Sequence, residues 1–447
     1  MKVKTNMKKT LQQKVAMRKY SRPNPIILWV LTHLVAPIVM KQYGKQTLTI
    51  RDDIDKYPGA KFLVYNHQSR FDWVNIVKLT RNKRINFVVG YNEFFRSHFK
   101  LIFKLVRNIP KKNFTTDLVS IKAMSKIIKD GGIVCFSPEG MSSITGHSQP
   151  IVPNTGKFLK HFGVPVYAMK SQGAYLVNHK VCLDNRPGMM EAELVCLISP
   201  EQIKEMSPEE IDAKINEYLW QDDYDWNFEK KYHFKNMENA TSHFEDLAYH
   251  CPKCGKEFGI VTKGNEIHCE HCGNGATLDD QYVFHPYENS VMPVSLSKWV
   301  DYERHVEYQR IKNDPNYEFV VEDVVLGELP KYKYLTKDRT SMPCGKGKIT
   351  CNHKGFFFEG ERHGEPFNFE LTYDKFWTLV IVTTCSFTGI YVNGEYLDLI
   401  PPKPVIGKLL LMVEEFSRFH FNVWPDFPWL DYIRDDKVHS EKYFFTK

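Results

Sequence analysis

His67 and Asp72 are the pair of residues in this sequence best suited to move a proton. They follow the apolar run KFLVY, residues 61–65, in the stretch Asn66-His67-Gln68-Ser69-Arg70-Phe71-Asp72-Trp73. Five positions apart, they would lie on different faces of one straight helix. They meet only if His67 sits in the loop after a strand and Asp72 in the first turn of the next helix. In that geometry the carboxylate accepts the proton on one imidazole nitrogen and leaves the other as a base. A hydroxyl held there could attack an acyl donor. A solvated histidine beside a helix-start aspartate has the same spacing, so the pair alone leaves both readings open.

A second element narrows the choice. The apolar run 133–136 ends in Ser137-Pro138-Glu139-Gly140-Met141-Ser142-Ser143, where Pro stops the strand and Gly frees the turn. Glu139 is thereby placed at a strand C-terminus, a common position for sites in α/β folds. Over roughly residues 55–200 the chain resembles the phospholipid and glycerol acyltransferase family, which includes the lysophosphatidic acid acyltransferases. That family's first motif, N-H-x4-D, is matched by Asn66, His67 and Asp72. Its third, F-P-E-G-T-R-S, is matched in part by Pro138, Glu139, Gly140 and Ser143. Its last, a V-P-V-like strand, is matched by Val164-Pro165-Val166.

The resemblance implies transfer of a fatty acyl group from acyl-CoA or acyl-carrier protein to the free hydroxyl of a lysophospholipid, foremost 1-acylglycerol 3-phosphate. His67 would be the general base and Asp72 its orienting partner. Glu139, Gly140 and Ser143 would shape the acceptor pocket. No Ser or Cys acyl-enzyme is needed, so Cys135 reads as a strand core residue.

Two departures bear on the acceptor. Ser142 stands where the third motif has Arg, and Met141 where it has Thr. The second motif is represented at best by Arg107-Asn108-Ile109-Pro110-Lys111-Lys112. The family's arginines are expected to hold the acceptor's phosphate, a task suited to a guanidinium fork. Lysines hold phosphate as point charges, which makes Lys111, Lys112 and Lys157 the candidate substitutes. An acyltransferase for another acceptor is one alternative; a catalytically silent, lipid-binding membrane scaffold is a second.

Cysteines suggest a metal. Cys251-Pro-Lys-Cys254-Gly and Cys269-Glu-His-Cys272-Gly are two knuckles separated by fourteen residues, just short of the usual zinc-ribbon spacing. Four thiolates leave no open position, so the expected zinc is structural. His250, His268, His271 and His285 read as bystanders. A disulfide framework fits less well, since six further cysteines lie scattered and nothing marks a secreted chain. Cys344, Cys351 and His353 form a weaker pattern and read as loop and strand residues.

The elements that must position these residues follow from periodicity. Strands are expected at 61–65, 85–89, 132–136, 164–169 and 191–198, with helices at 71–80, 94–106, 117–129 and 207–219. That alternation predicts an α/β layer fold with a partly parallel sheet, and the resemblance implies that residues 51–228 form an acyltransferase domain with that layer fold. Residues 221–242 read as a link, 247–286 as the zinc ribbon, and 295–313 as one helix within a helical linker, 290–317. Residues 318–447 read as a β-rich domain, with strands at 355–361, 367–373, 376–383 and 389–392. Asn393-Gly394 marks a hairpin into 396–399, and 405–421 a closing helix. The shape resembles a pleckstrin-homology-like module, an analogy of form alone.

Composition sets the outer limits. The 447 residues are 43% apolar and 25% charged, which excludes a wholly disordered chain. A mean hydropathy of −0.40 excludes a polytopic membrane protein. Aromatic residues, at 14%, suit strands or a lipid-facing surface. The net charge of +7 is unevenly spread: residues 1–51 carry eleven Lys or Arg and no acid, leaving −4 for the remainder. Such a leader, wrapped around the apolar run 26–40, predicts an anionic membrane surface as partner rather than nucleic acid. That run is too short to span a bilayer. It is read as an interfacial helix with Trp29 at headgroup depth, within a basic, membrane-associating segment 1–50, and a buried core helix is the alternative. The expected location is the cytoplasmic face, held peripherally. Acyl-carrier protein is a further candidate partner.

Overall fold

The computed structural model describes residues 9–81, 83–337 and 339–424. The first residues of the basic leader, 1–8, and the last of the β-rich region, 425–447, lie outside the described residues. A seven-stranded sheet carries the candidate site. Its strands are β1 (Gly44–Ile50), β2 (Lys61–Tyr65), β3 (Ile85–Gly90), β4 (Ile109–Lys111), β5 (Ile133–Phe136), β6 (Val166–Gln172) and β7 (Gly188–Ile198), in the order β1-β7-β6-β2-β5-β3-β4. All pairs are parallel except β6 with β7. This is the mixed α/β layer fold that the alternating pattern predicts.

Central β2 is buried at every position, as a parallel strand covered on both faces must be. Phe62 and Val64 pack one face with Ile127, Leu159 and Ile215, while Leu63 and Tyr65 pack the other with Ile76 and Met169. Even Lys61 is buried, its Nζ donating to the Ile54 carbonyl at 2.8 Å. Cys135 is fully buried in the same core, which holds its thiol well above the usual range.

Three expected elements differ from the observed ones. The stretch 94–106 is not one helix. A 3-10 turn, Tyr91–Phe95, and a helix, Lys100–Leu105, are separated by extended Arg96. There Ser97 N donates to the Leu335 carbonyl at 2.9 Å and Leu335 N to that of Phe95 at 2.9 Å, so a distant segment takes the backbone groups a helix would use. The link 221–242 contains the helix Asp223–Lys230, capped by Asp222 and burying Tyr224 and Trp226. The strand expected at 376–383 is reduced to Val380–Ile381: Phe376 N closes a turn on the Thr372 carbonyl before it, and Thr384 and Cys385 turn to positive φ after it.

The apolar run near the N-terminus forms helical turns from Pro25 to Lys41, with a π-helical stretch at Leu31–Val35. A π turn takes up an extra residue. Leu28, Thr32 and Ala36, four apart, therefore stay in register on the buried side. Ala36 packs on Val74 and Val77 of the helix Asp72–Leu79. Ile26, Trp29, Leu34 and Ile38 face outward, each more than half exposed. Among the described residues no helix is long and apolar enough to cross a membrane.

A four-stranded sheet holds the cysteine knuckles: β8 (Ile260–Lys263), β9 (Glu266–Cys269), β10 (Gly275–Leu278) and β11 (Phe284–Pro286). The remaining sheet is antiparallel and seven-stranded. It comprises β12 (Glu318–Glu328), β13 (Met342–Asn352), β14 (Gly355–Arg362), β15 (Glu365–Leu371), β16 (Val380–Ile381), β17 (Thr388–Val392) and β18 (Glu395–Ile400). Asn393 and Gly394 both adopt positive φ between β17 and β18, the type I′ geometry that Asn-Gly favours.

The closing helix Ile406–Phe421 is buried along most of its length against the helix Leu296–Asn313. Arg304 reaches Glu414 at 2.6 Å and Glu415 at 2.9 Å, and Lys408 reaches Glu257 at 2.6 Å. Removing one partner from such buried pairs costs far more than the pair itself contributes.

Candidate active site

β2 delivers its successor residues to the C-terminal edge of the sheet. Asn66 is clamped there: its Nδ2 donates to the Ser171 carbonyl at 2.8 Å, and its Oδ1 accepts from Ser171 N at 2.7 Å. This two-way bond to β6 fixes the chain direction just before His67, a role not visible in sequence spacing. Asp72 opens the following helix, and its Oδ2 accepts from Ser69 N at 3.1 Å.

His67 and Asp72 meet. Nδ1 of His67 lies 2.8 Å from Oδ2 of Asp72, with the imidazole 27% and the carboxylate 1% exposed. An ionised carboxylate can only accept, so Nδ1 carries the hydrogen and Nε2 keeps its lone pair. Burial raises the Asp72 carboxyl above its ordinary value, while the imidazole and the loop amides pull it back.

Glu139 braces the other side of the loop. Its Oε1 accepts from His67 N and its Oε2 from Gln149 N, both at 3.1 Å. Burial pushes its carboxyl up to about 8 against those two donors. Gly140 has φ +82°, and a Cβ there would meet the Phe114 ring at 2.6 Å, so both backbone and space require glycine. Ser143 is a structural member: its N donates to the His67 carbonyl at 2.6 Å, and its hydroxyl donates to the His147 carbonyl at 2.7 Å.

The lysines proposed for phosphate do not join this network. Lys111 donates to the carbonyls of Lys112 and Thr115. Lys112 reaches across to the Gly394 carbonyl at the β17–β18 turn, beside the rings of Tyr91 and Tyr391. Lys157 stands exposed on the helix Thr155–Phe162. The antiparallel sheet also forms part of the surroundings, with Trp377 edge-on to Phe114 at 6.4 Å. A different lysine, Lys180, donates to the Ser142 carbonyl at 3.2 Å. No motif marks it.

The four knuckle cysteines gather at one point, with all four sulfurs within 4.8 Å of one another. Cys251 and Cys272 sulfurs are 3.7 Å apart, and those of Cys254 and Cys269 are 3.8 Å apart. A tetrahedral zinc with Zn–S of about 2.3 Å has sulfur–sulfur edges of about 3.8 Å, so the donor set fits. Gly255 and Gly273, both at φ +71°, let each knuckle turn back on itself. No histidine joins this group among the described residues, and the His285 ring pairs instead with Asp279 at 2.8 Å.

Cys344, Cys351 and His353 are not brought together as one cluster. Cys351 contacts the Tyr373 hydroxyl, and His353 the Asp314 carbonyl. Cys344 instead joins Glu328 and His363, where Arg362 already pairs with the carboxylate.

Residues 49–172 match the family model described as Acyltransferase. No curated protein matches the chain. Among solved structures, the chain is similar to the 1-acyl-sn-glycerophosphate (LPA) acyltransferase PlsC from Thermotoga maritima. That likeness covers 43% of this chain and 84% of that one, at 16% identity and a TM-score of 0.34. The segment that matches the acyltransferase model is the one that holds His67, Asp72 and Glu139.

Proposed function

We propose that the protein transfers a fatty acyl group from acyl-CoA or acyl-carrier protein to the free hydroxyl of a lysophospholipid, with 1-acylglycerol 3-phosphate as acceptor. The observation that carries this reading is the 2.8 Å contact between His67 Nδ1 and buried Asp72. His67 Nε2 takes the hydroxyl proton as the oxygen bonds to the thioester carbonyl carbon. Asp72 stabilises the imidazolium that forms. The tetrahedral intermediate then collapses, the C–S bond breaks, and the thiolate leaves with the proton held by His67. No covalent acyl-enzyme is required. Zinc on Cys251, Cys254, Cys269 and Cys272 would be structural, and no step runs through it.

The test is acyl transfer by purified protein, offering lysophosphatidate, glycerol 3-phosphate, neutral monoacylglycerol and other lysolipids with each thioester donor. Transfer to lysophosphatidate supports the reading. Transfer to another acceptor alone corrects the substrate, and silence across the panel from folded protein favours a lipid-binding scaffold.

The acceptor is a membrane lipid, and the surface offers a means of reaching it. Ile26, Trp29, Leu34 and Ile38 form an apolar face backed by the helix that begins with Asp72, in a chain whose first 51 residues are basic. We place this face in the interfacial layer of an anionic bilayer. Trp29→Glu with Ile38→Glu is expected to weaken co-sedimentation with phosphatidylglycerol-containing vesicles by about tenfold or more, given the apolar burial lost. Equal sedimentation of both proteins would remove this face from consideration.

A further inference from the structure

The third motif of this chain lacks its cation, and the fold supplies another at the same place. Ser142 occupies the arginine position of the motif, and its carbonyl accepts a hydrogen bond from Lys180 Nζ at 3.2 Å. Lys180 is 38 residues further along the chain, in the loop between the turn of helix Ala174–Val177 and β7. The loop is pinned at its base: Asn178 Nδ2 donates to Asn185 Oδ1 at 2.8 Å, and Arg186 N to the Val177 carbonyl at 2.8 Å.

The ammonium is in an unusual setting. Lys180 is only 6% exposed, and among the described residues no carboxylate lies within 4.0 Å of its Nζ. An ammonium has three donors, and the Ser142 carbonyl engages one. Burial lowers its pKa to about 8, with Cys385 and Glu139 acting in the opposite direction. A buried cation without an ion pair is disfavoured, and an anion brought to it relieves that cost. The same neighbourhood connects to the reacting pair, since Ser143 N holds the His67 carbonyl and Glu139 holds His67 N.

The antiparallel sheet contributes the cover. Thr384 N donates to the Lys180 carbonyl at 3.1 Å. Thr384 has φ +77° and Cys385 φ +51°, a conformation that β-branched Thr adopts rarely. Strain of this kind persists where surrounding structure enforces it, and it clusters at ligand sites.

We propose that Lys180 is the phosphate-binding residue for the acyl acceptor, replacing in space the arginine that Ser142 removes from the third motif. The ligand class is a phosphomonoester on the glycerol unit that carries the accepting hydroxyl. This assignment rests on the acyltransfer reading above and commits the phosphate to the acceptor rather than the thioester donor.

The experiment measures binding of glycerol 3-phosphate, glycerol, inorganic phosphate and CoA to the full chain by calorimetry, with wild type, Lys180→Gln, Lys180→Met and Lys180→Arg. Gln can still donate to the Ser142 carbonyl but carries no charge, so it separates an anion site from a structural hydrogen bond. Glycerol 3-phosphate affinity is expected to fall about tenfold or more in both Gln and Met variants, the size of one charge-assisted hydrogen bond. Lys180→Arg should retain it, and CoA affinity should not change. In turnover, KM for a phosphorylated acceptor should rise while that for a neutral acceptor stays constant. Unchanged glycerol 3-phosphate binding in Lys180→Gln, absence of wild-type binding, inorganic phosphate binding as tightly as glycerol 3-phosphate, or a loss confined to CoA would each overturn the assignment. Phosphate binding through Lys180 without any acyl transfer would sink the activity reading and leave the site standing. Turnover indifferent to Lys180 would do the reverse.

Discussion

His67→Ala is expected to lower acyl transfer by about 10²–10⁴-fold, the range for loss of a positioned general base. The substitution leaves the sheet intact, because His67 is held chiefly through its backbone: its N by Glu139 and its carbonyl by Ser143 N. The loop should therefore keep its course without the imidazole. Initial rates with labelled thioester, beside a thermal melt, check both halves of this statement. Asp72→Asn is expected to lower the rate too, since an amide of equal volume removes the charge that stabilises the imidazolium. A rate for His67→Ala within a few-fold of wild type would reject His67 as the base.

The second large effect concerns the cysteine cluster. Metal analysis of protein from metal-replete cells should give close to one zinc per chain, and Cys251→Ser or Cys269→Ser should lose it. Both cysteines are fully buried, and both belong to a hydrophobic cluster that also holds Met141 and Ile144 of the segment matching the acyltransferase model. Tyr282, at the end of the ribbon, donates to the Leu176 carbonyl. Structural zinc contributes on the order of 10–16 kcal/mol in isolated fingers, comparable with the whole stability of a typical domain. Chelation is thus expected to lower the melting temperature of the full chain and to abolish acyl transfer along with it. A chelated protein that melts unchanged would show that the four sulfurs do not need a metal.

Much of the site was legible because its signals are local. The apolar run 61–65 followed by His67 and Asp72 required a strand-to-helix corner, and the structure has one. Asp117 caps its helix through two amides, and Asn393-Gly394 makes its turn, since cap and turn chemistry depend on a few adjacent residues. The misses share a long-range cause. Arg96 is extended because Leu335, more than two hundred residues away, pairs beside it. The packed helix after Asp222 looked like a polar link because its charged residues obscure the buried Tyr224 and Trp226. Lys111 and Lys112 were reasonable phosphate ligands by charge, yet their ammonium groups are committed to carbonyls. Lys180 sits in no motif, and only the fold sets it against Ser142.

The continuous hydrophobic cluster has a consequence for how the molecule opens. Ile144 of the segment matching the acyltransferase model, Cys251 and Ile267 of the cysteine-rich region, Val324 and Ile349 of the antiparallel sheet, and Leu409 and Phe416 of the closing helix all belong to it. Regions that share one core tend to open together as a single cooperative unit. Amide protons in the closing helix and in the ribbon strands would then exchange with solvent by the same rare global event. Local openings would be confined to places outside the cluster, such as the outward-facing helix at Trp29. A protease attacking the native protein would accordingly trim its edges before it released the cysteine-bearing sheet or the antiparallel one.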